Sequence, residues 1–156
     1  MHSYVHMGGK IAVLLAVETG KSGGGPALST FVEETAMQIA AMAPQFVSAA
    51  VVPESDKDRQ RTQFNAQLEE EGKPAAARPK IIEGKLAKWM KEVSLLDQAS
   101  VLDGEKTVEQ VRAAAEKAFG AGIKVKGFIR YERGEGLDAP AGVDFADEAR
   151  RMAGQS

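Results

Sequence analysis

Between Pro53 and Lys73 the chain offers almost nothing that a hydrophobic core could use. Residues 54–71 are dominated by Asp, Glu, Lys, Arg and Gln, and only Phe64, Ala66 and Leu68 are clearly apolar. Gly72-Lys73-Pro74 then supplies a helix stop followed by a new start. From Ala75 to about Leu95 the pattern is helical again, with Ile81, Ile82, Leu86, Trp89, Met90 and Val93 on a repeating stripe. Two helices of similar length joined by Gly-Lys-Pro predict an antiparallel helical hairpin. The eighteen residues of the first helix, at about 1.5 Å each, give it a length of about 27 Å. That helix is too polar to be core, so the hairpin is expected to project from the body as an arm. The competing reading is a charged, solvated helix with no role of its own.

The segments on either side of the arm must then build the body. His2 to Met7 is broken by Gly8-Gly9 and followed by the dense aliphatic run Lys10 to Val17. Two such runs separated by Gly-Gly predict a β-hairpin, whose second strand is expected to be buried on both faces. Residues 19–26 are loop by composition, and Pro26 suits a first helical turn. Leu28, Phe31, Val32, Thr35, Ile39 and Met42 give the following helix one apolar face, and Pro44 ends it.

Beyond the arm, Thr107 with Gln110 three residues on has the form of a capping box. It opens a helix running through Val111 and Ala115 to Phe119 and stopping at Gly120 or Gly122. Ile123 to Tyr131 alternates, which places Ile123, Val125, Gly127, Ile129 and Tyr131 on one face, expected to be buried. Gly134-Glu135-Gly136 closes that strand, and a short tail helix is expected over about Val143 to Met152. The order is ββα, helical arm, αβ, tail helix. The fold class is therefore α+β: a small antiparallel sheet packed with helices, a projecting antiparallel helical hairpin and a C-terminal helix.

Composition narrows the chemistry. The 156 residues contain no cysteine, so disulfides, thiolate metal sites and a cysteine nucleophile are excluded. Twenty basic against twenty-two acidic residues give a net charge of −2, which argues against direct nucleic-acid binding. The longest apolar run, Ile11 to Val17, is far short of the roughly 20 residues of a membrane span. No small-residue cleavage site follows it, and a cytoplasmic protein is expected. Gly20-Lys21-Ser22 imitates the end of a phosphate-binding loop, but position 15 holds leucine where that loop needs glycine. Lys126-Gly127-Phe128 imitates an RNA-recognition strand, but Ile129, Arg130 and Tyr131 depart from it. His2 and His6 are the only imidazoles, with no third metal ligand nearby in sequence. No acid is paired with a base or nucleophile at motif spacing, so neither a catalytic residue nor a metal site nor a cofactor is expected.

Several segments resemble the carboxy-terminal half of the bacterial elongation factor Ts family, the guanine-nucleotide exchange factors for elongation factor Tu. Ser3-Tyr4-Val5-His6-Met7-Gly8-Gly9-Lys10-Ile11-Ala12-Val13-Leu14 resembles the strand pair opening the family's second core subdomain. Ala36-Met37-Gln38-Ile39-Ala40-Ala41-Met42-Ala43-Pro44-Gln45-Phe46-Val47 resembles the helix that follows. Glu71-Gly72-Lys73-Pro74 and Ile81-Ile82-Glu83-Gly84-Lys85-Leu86-Ala87-Lys88-Trp89 resemble the turn and second helix of its coiled-coil arm. Glu92-Val93-Ser94-Leu95-Leu96-Asp97-Gln98 and Lys106-Thr107-Val108 are similar to its return into the core. Gly127-Phe128-Ile129-Arg130-Tyr131-Glu132-Arg133-Gly134-Glu135-Gly136 is similar to its last strand, and Asp144-Phe145-Ala146-Asp147-Glu148-Ala149 to its C-terminal module. The pieces occur in the family's order and span nearly the whole chain.

The resemblance implies residues 1–52 as the first part of a core subdomain and 53–95 as an antiparallel coiled-coil arm. It implies 96–136 as the second part of the core and 137–156 as the C-terminal module. It also implies elongation factor Tu as partner, gripped through its third domain by the core and through its nucleotide-binding domain by the tail. By position, partner contacts fall on His6 at a strand end and on Val101 and Leu102 in the linker. In the tail they fall on Phe145, Ala149 and Met152. The alternatives are that Val101 and Leu102 cover the local core and that the tail residues pack on their own domain.

The family's amino-terminal helical domain and the first core subdomain, with its Thr-Asp-Phe-Val segment, are not within these residues. Ser48 to Asp58 also fits the family less well. A fragment that binds its partner but exchanges nucleotide weakly alone is therefore expected. A module that self-associates as a homodimer through the arm is the alternative from a different class, and a small enzyme with an unrecognised carboxylate site is a third.

Overall fold

The computed structural model describes residues 1–135, so the tail helix, with Phe145, Ala149 and Met152, lies outside the described residues. Strand β1 (His2–His6) turns through Met7–Gly9 into β2 (Ile11–Thr19). Helix α1 (Pro26–Met42) follows, then the arm helices α2 (Glu54–Glu70) and α3 (Arg78–Val93), then α4 (Val108–Phe119) and β3 (Ile123–Glu132). The sheet is antiparallel in the order β1-β2-β3, with His6 opposite Ile11 and Ile11 opposite Glu132. The α+β architecture expected from the sequence is the one observed.

Helices α1 and α4 pack on each other and on one face of the sheet. Ile11, Val13 and Leu15 of β2 point into that layer with Phe31, Ala36, Ile39, Leu95, Val108, Phe119, Ile123 and Val125. At roughly 1.5–3 kcal/mol for each fully buried large apolar side chain, this cluster is the main source of stability. Thr107 caps α4 as its sequence predicts: its hydroxyl accepts from Gln110 N–H, and the Gln110 side chain accepts from Thr107 N–H. The helix ends on Gly120 at φ 76°, a left-handed conformation in which a side chain would be strained.

Two strand expectations need correction. Strand β2 is not buried on both faces: Ala12 and Leu14 face away from the helices and are exposed. Its continuous apolar run hid which face the helices cover. Strand β3 does not keep one face inward throughout. Ala16 pairs with Gly127 but Val17 pairs with Val125, so Lys126 is an extra residue in a β-bulge. A one-residue shift reverses the facing of all that follows. Ile123 and Val125 are buried, but beyond the bulge Phe128 packs against the core while Ile129 and Tyr131 are exposed.

The arm stands apart from this core. Arg61 pairs with Glu83, Arg78 with Glu69, and Lys85 lies over the Phe64 ring. Arg61 in the first half of α2 meets Glu83, whereas Glu69 at its end meets Arg78 at the start of α3, so the helices are antiparallel. Such exposed pairs are each worth only about 0–1 kcal/mol, whereas Leu68 and Leu86, one on each helix, are buried. Gly72 makes the turn at φ 70°. At the base, the entering and leaving chains are stitched together: Gln45 and Phe46 N–H donate to Val93 O, Leu95 N–H to Phe46 O, and Leu96 N–H to Val47 O. Among the described residues no helix is long and apolar enough to cross a membrane.

Candidate partner-binding surface

The chain returning from the arm forms a turn at Leu95–Asp97 and then a loop whose neck is closed by backbone pairing. Val108 N–H donates to Gln98 O (3.0 Å), Ser100 N–H to Lys106 O (2.8 Å), and Ala99 bridges Thr107. Within the tip, Ser100 Oγ accepts from the Leu102 and Asp103 N–H groups, both at 3.3 Å. Lys106 pairs with Asp103, and its hydrogen bond is the main reason the Asp103 carboxyl is held below its ordinary range. At this ordered tip Val101 is 42% and Leu102 56% exposed. A disordered loop would have to lose conformational entropy on docking; this one is already folded.

Beneath the loop lies a buried amide network that the sequence analysis passed over. Gln38 of α1, only 2% exposed, donates to Gln98 Oε1 (3.0 Å) and Ala99 O (3.1 Å). Its own Oε1 accepts from Val101 N–H at 2.8 Å. Gln98, also buried, donates in turn to Glu92 O at the end of the arm (2.7 Å). The available signal was Gln38 itself, a polar residue seven positions after Phe31 and three after Thr35 on the inward stripe of α1. Buried amides require partners.

His6 is half-buried on the helix-covered face of the sheet. Its ring stacks on Tyr4, with centroids 5.8 Å apart, and the Tyr4 hydroxyl lies 2.8 Å from His6 Nδ1. The C-terminal half of α1 is tied both to the sheet and to the loop: Arg130 of β3 donates to Ala40 O, and Gln38 Oε1 accepts from Val101 N–H.

The groups that imitate other chemistry have structural roles. Lys21 donates to Phe119 O and sits 4.4 Å from the Phe119 ring centroid, closing the end of α4. A cleft of about 770 Å³ is lined by Val47, Val51, Leu96, Ile123, Val125 and Arg112 among others. Four of its charged side chains are paired: Lys126 with Glu18, and Arg112 with Glu116. Arg112 makes two 2.7 Å bonds to Glu109 and reaches Glu116 and Ile123 O, and Glu116 accepts from Ile123 N–H at 2.9 Å. The Ile123 N–H, then Arg112, hold the Glu116 carboxyl below its ordinary range. No group of three or more His, Cys, Asp or Glu able to hold a metal occurs among the described residues.

The sequence model of the family described as Elongation factor TS matches residues 1–135. An elongation factor Ts of a Nitratiruptor species is 43% identical over 148 residues, 95% of this chain and 48% of the relative. That of Clostridium perfringens is 36% identical over 155 residues, 99% of this chain and 50% of the relative. That of Geobacter metallireducens is 40% identical over 154 residues, 97% of this chain and 71% of the relative. The chain spans about half the length of the first two relatives.

Proposed function

The chain belongs to the elongation factor Ts family, and on that premise we propose that it binds elongation factor Tu and takes part in exchange of its guanine nucleotide. The observation that carries this reading is the Val101–Leu102 pair. Two adjacent aliphatic side chains stand out from a loop that is locked at its neck and tied from below. Exposed aliphatic groups on an ordered loop are suited to entering an apolar pocket on a partner, and the surrounding Asp103 and Lys106 form a polar rim. His6, at the end of β1, supplies a second contact. Phe145, Ala149 and Met152 are proposed as a third group, in the tail module.

Exchange of this kind needs no catalytic side chain. If the chain binds elongation factor Tu more tightly when its nucleotide site is empty, reciprocity requires that nucleotide bind the complex more weakly by the same factor. The chain on its own is proposed to hold the partner while accelerating release only weakly, because the family segment associated with disturbing the magnesium and nucleotide site is not among these residues. Release of fluorescent GDP from elongation factor Tu tests this. Slow release despite complex formation supports the reading, and acceleration equal to that of an intact family member overturns the weak-exchange part.

A further inference from the structure

Gln38 is buried, and its side chain hydrogen-bonds Gln98, Ala99 and Val101. Those contacts converge on one short segment. A single amide accepts from Val101 N–H and donates to Ala99 O and to the Gln98 side chain, so that it reads both the donor and the acceptor side of the loop backbone. An apolar side chain would pack in this position at lower desolvation cost, as Phe31, Ala36 and Ile39 do on the same helix. A buried amide with every hydrogen-bonding atom directed at one loop is a device for fixing the geometry of that loop.

We propose that Gln38 is a positioning residue for partner binding: its carboxamide, braced by Gln98, fixes the backbone at Ala99–Val101 so that Val101 and Leu102 are presented outward. This rests on the reading that Val101 and Leu102 contact elongation factor Tu. Because Gln98 also bonds Glu92 O, the same network connects the loop to the foot of the arm. The orientation of the loop tip and the exit of the arm are thus set by two adjacent amides.

Gln38→Met keeps the length of the side chain and removes all three hydrogen bonds. In the full chain it is expected to leave a cooperative melt and to raise the exchange rate of the Val101 amide. Affinity for nucleotide-free elongation factor Tu should fall roughly tenfold, about the effect of one net hydrogen bond. Placed in a Val101→Ala/Leu102→Ala background, the same substitution should change affinity less than about twofold, since there is no presented pair left to misplace. An equal loss in both backgrounds would show that Gln38 acts through general stability and overturns the proposal. So does unchanged Val101 amide protection.

If Gln38→Met does not fold, amide exchange in the parent chain serves as the test: Val101 N–H, held by the buried Gln38, should be protected well beyond Leu102 N–H, which bonds only the exposed Ser100 hydroxyl; equal exchange rates overturn the proposal. If Val101→Ala/Leu102→Ala leaves affinity intact with Gln38 in place, the partner-contact reading itself is what has failed. The Val101 exchange data then still report separately on the hydrogen bond.

Discussion

Leu102→Ala separates presentation from packing. Leu102 is 56% exposed in the free chain, so about half of its side chain remains to be covered by a partner. Complete burial of a leucine side chain is worth about 1.5–3 kcal/mol. Covering the exposed half is therefore worth roughly 1–1.5 kcal/mol, or about five- to tenfold in affinity. The half already packed on the loop is worth roughly 0.7–1.3 kcal/mol in stability, too little to unfold a domain holding about 5–15 kcal/mol. Val51→Ala is the matched control, because Val51 is 58% exposed but belongs to the Ala49–Val51 turn and not to the loop. Titration calorimetry against nucleotide-free elongation factor Tu, with a melting curve for each variant, should show the loss for Leu102→Ala alone. Equal losses for both variants, or none for either, would refute the assignment of the contact to the loop tip.

Three further outcomes follow from the packing. Thr107→Ala removes the capping-box acceptor and should cost about 1 kcal/mol, lowering the melting temperature by about 3 °C, with Thr107→Ser restoring most of it. Ser94→Ala should be neutral or stabilising by up to about 1 kcal/mol, because the fully buried Ser94 hydroxyl has no hydrogen-bond partner among the described residues; a clear fall in melting temperature would contradict this. Glu116 has its folded-state pKa lowered from the ordinary 4.5 by Ile123 N–H and Arg112. Its contribution is therefore present above that value and lost as pH falls through the folded-state value. Glu116→Gln should be less stable than the parent at pH 7, with the gap closing below about pH 4.5; a gap that widens on acidification would be the wrong sign.

Much of the fold was legible because local signals and the global pattern agreed. Thr107 and Gln110 fixed the start of α4, Gly120 its end, and the polarity of residues 54–71 kept the arm out of the core. The facing of β3 was not legible, since a bulge at Lys126 depends on pairing with Ala16 and Val17, more than a hundred residues earlier in the chain. The open face of β2 escaped for a related reason: Ala12 and Leu14 are as apolar as the buried Val13 and Leu15. At the candidate site, sequence could place Val101 and Leu102 in a turn, but not show that Gln38, more than sixty residues away, holds their backbone. Contacts of long sequence separation leave no periodicity to read.

The most direct measurement is titration calorimetry of this chain against elongation factor Tu in its GDP-loaded and nucleotide-free forms. Tighter binding to the nucleotide-free form is predicted, because only differential affinity can weaken nucleotide binding in the complex. Equal affinity for the two forms would contradict the coupling and reduce the chain to an anchor, and no binding to either would contradict the partner assignment itself.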